Sequence, residues 1–229
     1  MKLLGIGAHY DDCIFGIPGI LLRAVDEGHD VSILTVIGDY RNWSPVGEES
    51  QAAMIEGTKR IYQEKGMDLR FLNYQSMGIE INEESKRALA EVVADVAPDI
   101  GFLLWPSDAH PDHEVVSQLS KIAFNWHRTV LRQNKGARRL RRLYFYDNGP
   151  RHTFGFEPDT FVDVGEYWSE ALEWLGSLMS FVLGSDTDRN SGPVESKKTL
   201  AAYRGRSCGV QFAEALKGFH SYPTDILNL

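Results

Sequence analysis

Two near-continuous apolar runs, within Lys2 to Gly7 and Val31 to Ile37, stand one helix length apart near the start of the chain. Neither alternates polar with apolar residues, which is the pattern of a strand covered on both faces. Between them, Ile14, Ile17, Leu21, Leu22 and Val25 mark a helical stripe over Cys13 to Gly28. Pro18 predicts a kink in its early turns, because proline has no N–H to donate, and Gly28 is a natural stop. Strand, helix, strand at this spacing is a βαβ unit, whose crossover is right-handed in nearly all proteins. The chain is thereby committed to an α/β fold.

The same alternation continues. Helices are predicted over Glu48 to Gly66, Glu83 to Ala97 and His113 to Gln133, with strands over Leu69 to Leu72 and Ile100 to Leu104. Leu89, Val92, Val93 and Val96 form the core stripe of the second of these helices, and Pro98 ends it. Later strands are predicted over Leu143 to Tyr146 and Thr160 to Val164, and helices over Gly165 to Leu183 and Val194 to Arg206. Gly184 to Pro193 reads as a linker too short to separate domains, and the tail from Gly209 to Leu229 as one short helix followed by Pro223. The 229 residues suit a single domain spanning 1–229.

A formal net charge of −8 argues against a nucleic-acid surface. The one basic run, Arg138-Arg139-Leu140-Arg141-Arg142, reads as a solvated helix end or loop. Two cysteines, Cys13 and Cys208, make neither a zinc ribbon nor a disulfide framework and suit a reducing compartment. No stretch approaches the ~20 apolar residues that span a bilayer, and the N-terminus lacks the long apolar segment of a signal peptide. The expectation is a soluble, cytoplasmic protein with neither nucleic-acid nor membrane partners; a homo-oligomer is compatible with the sequence.

Two polar clusters carry the chemistry. The first strand runs into His9-Tyr10-Asp11-Asp12, and the strand at Ile100 to Leu104 is followed by Asp108-Ala109-His110-Pro111-Asp112-His113. Clusters at the exits of parallel strands meet at one rim of an open sheet, where such folds bind ligands. His9 and Asp12, three apart on a strand-to-helix turn, can point into one space, and imidazole and carboxylate are both good zinc ligands. A third ligand from the second cluster leaves one position open, which is the catalytic pattern; His113, at a predicted helix start, is the choice. Asp11 is then free to act as general base toward a water activated by the metal. His110 either stabilises the oxyanion or protonates the leaving amine. Asp112 either orients His110 or caps the helix that starts near His113. The loop after the second strand, with Asp39, Tyr40, Arg41 and Trp43, is a natural substrate wall, and Tyr40, Trp43 and Trp105 are candidates to stack on a sugar. His152 has no comparable company in the sequence, yet after Asp147-Asn-Gly-Pro150-Arg151 it stands where it can enter the pocket.

These stretches resemble the LmbE-like (PIG-L) zinc N-deacetylase family. Ala8-His9-Tyr10-Asp11-Asp12 is similar to its Ala-His-Pro-Asp-Asp motif, His110-Pro111-Asp112-His113 to its second motif, and Gly38-Asp39 to its Gly-Glu or Gly-Asp. Phe156 to Val164 and Gly209 to Ala215 resemble its later landmarks. The resemblance implies a Rossmann-like three-layer sandwich with a mostly parallel sheet. It also implies one Zn2+, or another divalent cation, held by His9, Asp12 and His113, with Asp11 as base and His110 facing the oxyanion. The implied reaction is hydrolysis of an acetamide on an N-acetylglucosamine-type sugar. Tyr10 stands in place of the motif's proline, which either loosens the turn or places a phenol by the pocket; Asp108 stands where some members have tyrosine, and Phe212 where tyrosine is common. Gly47-Glu48-Glu49 stands where an arginine often lies, and Arg41 is a candidate to replace it.

The expectation is therefore a zinc-dependent hydrolase that removes an acyl group from a small, sugar-containing amide. One rival is a sugar- or metabolite-binding protein that retains the metal without catalysis. The other is a nucleotide-binding oxidoreductase, which the residues His9-Tyr10 disfavour: they stand where the dinucleotide turn needs its third glycine.

Overall fold

A computed structural model describes residues 1–41, 48–133, 140–183 and 192–222. The elements are β1 (Lys2–Gly7), α1 (Asp12–Gly16), α2 (Pro18–Asp26), β2 (Asp30–Asp39), α3 (Glu48–Gln63), β3 (Asp68–Gln75), α4 (Glu83–Val96) and β4 (Ile100–Leu104). They continue with α5 (Pro111–Val130), β5 (Arg142–Tyr146), β6 (Thr160–Asp163), α6 (Trp168–Leu183), α7 (Gly192–Cys208) and β7 (Ala213–Gly218). Among the described residues, seven strands form one sheet in the order β3-β2-β1-β4-β5-β7-β6.

The first five strands in that order are mutually parallel, and β7 runs antiparallel between β5 and β6. The chain steps outward from β1 to β2 and β3, then returns to place β4 on β1's other side. This reversal opens a crevice at the C-terminal ends of β1 and β4, the usual ligand position in such sheets. Leu3, Leu4, Ile6, Ile33, Leu34, Phe102, Leu103 and Leu104 are all buried, as their unalternating pattern requires. Helices α4 and α5 pack on each other, while α2, α3 and α7 pack on α6. No helix among the described residues is long and apolar enough to cross a membrane.

Two elements differ from the sequence expectation. The single kinked helix over Cys13 to Gly28 is two helices. Ile17, at φ −138° and ψ 37°, breaks the path, because the residue before a proline is pushed out of the helical region. The break is held by a buried ion pair. Lys197 Nζ donates to the Gly16 carbonyl at 2.9 Å, and the Glu214 carboxylate accepts from the Gly19 and Ile20 amides at 3.0 and 2.9 Å. Nζ lies 3.0 Å from Glu214 Oε1. The second difference is the tail. Ala213-Glu-Ala-Leu-Lys217 is composed of good helix formers, yet with Gly218 it is a strand, because the gap between β5 and β6 offers backbone partners on both sides. Pro223, Trp43, Arg138 and Arg139, and most of the Gly184–Pro193 stretch lie outside the described residues.

Candidate metal and active site

His9 follows β1, and Asp12 opens α1. The turn between them is tight enough that a Cβ on Gly7 would sit 2.8 Å from Asp12 Cβ, so glycine is needed there. Asp12 folds back over this turn. Its Oδ2 accepts from the Ala8 and His9 amides at 2.6 and 2.8 Å, and its Oδ1 accepts from Asn148 Nδ2 at 2.7 Å. The same Oδ1 lies 3.2 Å from His113 Nε2. These donors and the His113 charge overcome burial and hold the Asp12 carboxyl well below the usual carboxylate range.

His113 sits in the first turn of α5, carried there by the rigid start at Pro111. His9 Nδ1 and His113 Nε2 face each other at 3.2 Å, and His9 Nδ1 lies 3.9 Å from Asp12 Oδ2. Tetrahedral zinc with bonds of about 2.0–2.1 Å places neighbouring ligand atoms about 3.3 Å apart, so two nitrogens and one carboxylate converge at a spacing that fits one cation. Each ring is also held from behind. His9 Nε2 is hydrogen-bonded to Asp112 Oδ2 at 3.1 Å, while the Asp108 carboxylate lies 3.1 Å from His113 Nδ1, an ion-pair contact without hydrogen-bond alignment. A proton on the nitrogen facing each carboxylate leaves the facing Nδ1 and Nε2 lone pairs free, the usual arrangement behind a metal-binding histidine. His9, His110 and His113 also each offer a nitrogen within 4.8 Å of the others, and Asp108, His113 and His152 form a second such group.

The cluster lines a cavity of about 660 Å³. Asp11 lines it too; burial first, and then the neighbouring Asp12 charge, push its pKa up from the usual carboxylate value. His110 lines it with its ring edge-on to His9 and stacked on His113, at centroid distances of 4.6 and 4.9 Å. His110 Nδ1 accepts the Asp112 amide at 3.2 Å, which puts the ring proton of the neutral form on Nε2. Burial, then the nearby His9 and His113, lower the His110 pKa and favour that neutral form.

Several sequence expectations are revised here. Asp112 is a partner of His9 rather than of His110: its Oδ2 is 3.1 Å from His9 Nε2 and 3.9 Å from His110 Nδ1. It is anchored by the Met77 amide at 2.9 Å and Ser76 Oγ at 3.0 Å. The cap of α5 is His110, not Asp112. Asp39 and Arg41 do not line the cavity; Arg41 is bound bidentately to Asp39 at 2.9 and 2.5 Å. Trp105 is spent on packing against Phe145 and Phe156 and on a bond to the Phe154 carbonyl. Tyr10 and Tyr40 do line the cavity, both deeply buried, with rings edge-to-face at 5.6 Å.

Sequence reasoning passes over Asn148 and the structural use of Asp108. The polar stretch Asp147-Asn148-Gly149-Pro150-Arg151-His152, directly after a strand, is the available signal. Its Asn148, Arg151 and His152 all line the cavity.

Comparison with known proteins places this arrangement in a family. The profile described as PIG-L, GlcNAc-PI de-N-acetylase, matches residues 4–124, more than half of the chain. The chain is 24% identical over 237 residues to diacetylchitobiose deacetylase of Thermococcus kodakarensis, covering 94% of this chain and 82% of that protein. A conserved protein of Thermus thermophilus superposes with a TM-score of 0.78 at 26% identity, covering 99% of this chain and 98% of that one. The 4-carboxy-2-hydroxymuconate hydratase GalB of Pseudomonas putida has the same fold, with a TM-score of 0.78 at 16% identity over 98% of both chains. The fold thus hosts more than one reaction, whereas the profile match carries the ancestry: the chain belongs to the PIG-L family.

Proposed function

We propose that this protein is a metal-dependent N-deacetylase acting on a small N-acetylglucosamine-type sugar, with zinc as the metal. The observation that carries the reading is the convergence of His9 Nδ1, Asp12 and His113 Nε2, at 3.2 to 3.9 Å, beside Asp11 in one cavity. The family description and the Thermococcus relative's name point to the same bond and the same sugar type.

His9, Asp12 and His113 would hold the cation. When bound, it supplies Lewis acidity and brings water into a range where a carboxylate can deprotonate it. Asp11 takes that proton as the water oxygen attacks the amide carbon. Burial raises the Asp11 carboxyl pKa, and a bound cation would offset that rise, keeping the group ionised and able to take the proton. Asp11 then delivers the proton to the departing nitrogen as the C–N bond breaks, leaving acetate and a free amine. His110, neutral and protonated at Nε2, donates to the carbonyl oxygen as negative charge grows there. Asp112 keeps the His9 ring in the required tautomer, and the Asp108 carboxylate beside His113 Nδ1 favours a proton on that nitrogen.

The test is an amine-release assay on a panel of N-acetyl sugars, with zinc and with chelator. Release that depends on the metal and yields equimolar acetate supports the reading. Binding without turnover across the panel would instead support the non-catalytic alternative.

A further inference from the structure

The lining of the cavity is electrically lopsided. Among the described residues that line it, Asp11 and Asp12 supply the acidic groups, while those from 148 to 152 and 192 to 196 include no Asp or Glu and one Lys or Arg, Arg151. Arg41, by contrast, is bound to Asp39, and Arg204 to Asp147 at 2.7 Å. No ion pair or hydrogen bond engages the exposed Arg151 guanidinium among the described residues.

The mount of Arg151 is rigid. Pro150 and Arg151 form the tip of a turn in which the His152 and Thr153 amides both donate to the Gly149 carbonyl, at 3.2 and 3.0 Å. Gly149 has φ +88°, and a Cβ there would lie 2.9 Å from the Phe15 ring, so the turn is seated directly on α1. Asn148 N–H donates to Thr153 Oγ1 at 2.9 Å, and the His152 carbonyl and Phe154 amide bond to Ala109 and Ser107 at 2.8 and 2.9 Å. The same turn supplies Asn148 to Asp12. The backbone that carries Arg151 is already constrained, so binding a ligand has only the side chain left to order. The turn also lies outside residues 4–124, the part of the chain that the family profile matches.

We propose that Arg151 reads an anionic group, a carboxylate or a phosphate, on the part of the substrate beyond the acylated nitrogen, so that acidic N-acyl amino sugars are preferred to neutral ones. This rests on the function proposed above and adds the charge of the substrate. A planar guanidinium suits either oxyanion by paired hydrogen bonds, and a charge-assisted bond of this kind is worth about tenfold in affinity or more.

The experiment compares methyl N-acetylglucosaminide, N-acetylglucosamine 1-phosphate and the carboxymethyl glycoside of N-acetylglucosamine, using the zinc-loaded wild type, Arg151→Gln and Arg151→Lys. The wild type is expected to show a KM about tenfold lower for one or both anionic substrates. Arg151→Gln is expected to bring that ratio to within about twofold, and Arg151→Lys to retain part of it. Which anionic substrate gains more separates carboxylate from phosphate. Calorimetry with glucosamine 1-phosphate and methyl glucosaminide runs in parallel, so that charge reading is measured even if no amide is cleaved. Equal KM and equal affinity for neutral and anionic compounds in the wild type, or an Arg151→Gln variant that keeps the full ratio, would overturn the proposal.

Discussion

His9 Nδ1 and His113 Nε2 lie 3.2 Å apart although 104 residues separate them, and each ring has an aspartate oxygen 3.1 Å from its far nitrogen. The strand order brings these histidines together: β1 and β4 are neighbours, and the turns after them share one rim. Asp12, fixed by two backbone amides and Asn148, completes the set.

Asp11 is the proposed base, so its carboxylate can be removed without removing a ligand. Asp11→Asn should lower kcat by about 10²–10⁴-fold while one equivalent of zinc stays bound. Steady-state kinetics on an identified substrate, paired with metal analysis, checks this. Wild-type turnover in the zinc-loaded variant rules out the role.

Asn148 and Asp112 hold the proposed ligands Asp12 and His9 in place without being placed to ligate. Asn148→Ala and Asp112→Ala should each weaken zinc binding about 10–100-fold, as loss of such supporting partners usually does. Chelator competition measures it. Unchanged affinity in both variants would mean that the ligand geometry is set by the backbone alone.

Burial pulls the His113 imidazolium pKa down, but the charges and hydrogen bonds of Asp12 and Asp108 outweigh it and hold the pKa up at about 10. Zinc needs the unprotonated nitrogen and must displace that proton. Apparent zinc affinity should therefore rise with pH from about 6.5 to 8.5, by up to about tenfold per unit, and fall as acid is added. Competition titrations at three pH values read this slope; a flat profile contradicts the proton count.

The Lys197–Glu214 pair is fully buried and joins α7 and β7 to the α1–α2 break. Lys197→Met or Glu214→Gln alone should cost about 3–5 kcal/mol, because the remaining group is left without its partner. The double variant should lose less than the sum. Denaturant unfolding of the four proteins tests this, and strict additivity would show that the pair is uncoupled.

The fold is legible where local pattern and tertiary need agree. The unalternating runs at β1, β2 and β4 are buried strands, and the polar residues just after β1 and β4 form the cluster. Legibility fails where long-range partners decide. Nothing local in Ala213-Glu-Ala-Leu-Lys-Gly218 favours a strand; the vacant ladder between β5 and β6 does. Asn148 reaches Asp12 across 136 residues, so its role has no trace in either motif. Proximity in sequence pairs Asp112 with His110, whereas the crossing of two turns gives it to His9. Arg41 looks available for substrate in the sequence, and Asp39, two residues earlier, takes it.

The most direct measurement is anomalous diffraction at the zinc edge from crystals grown with one equivalent of zinc. The account predicts a single strong peak within bonding distance of His9 Nδ1, the Asp12 carboxylate and His113 Nε2. A peak confined to Asp108 and His152, or none at stoichiometric zinc, would contradict it.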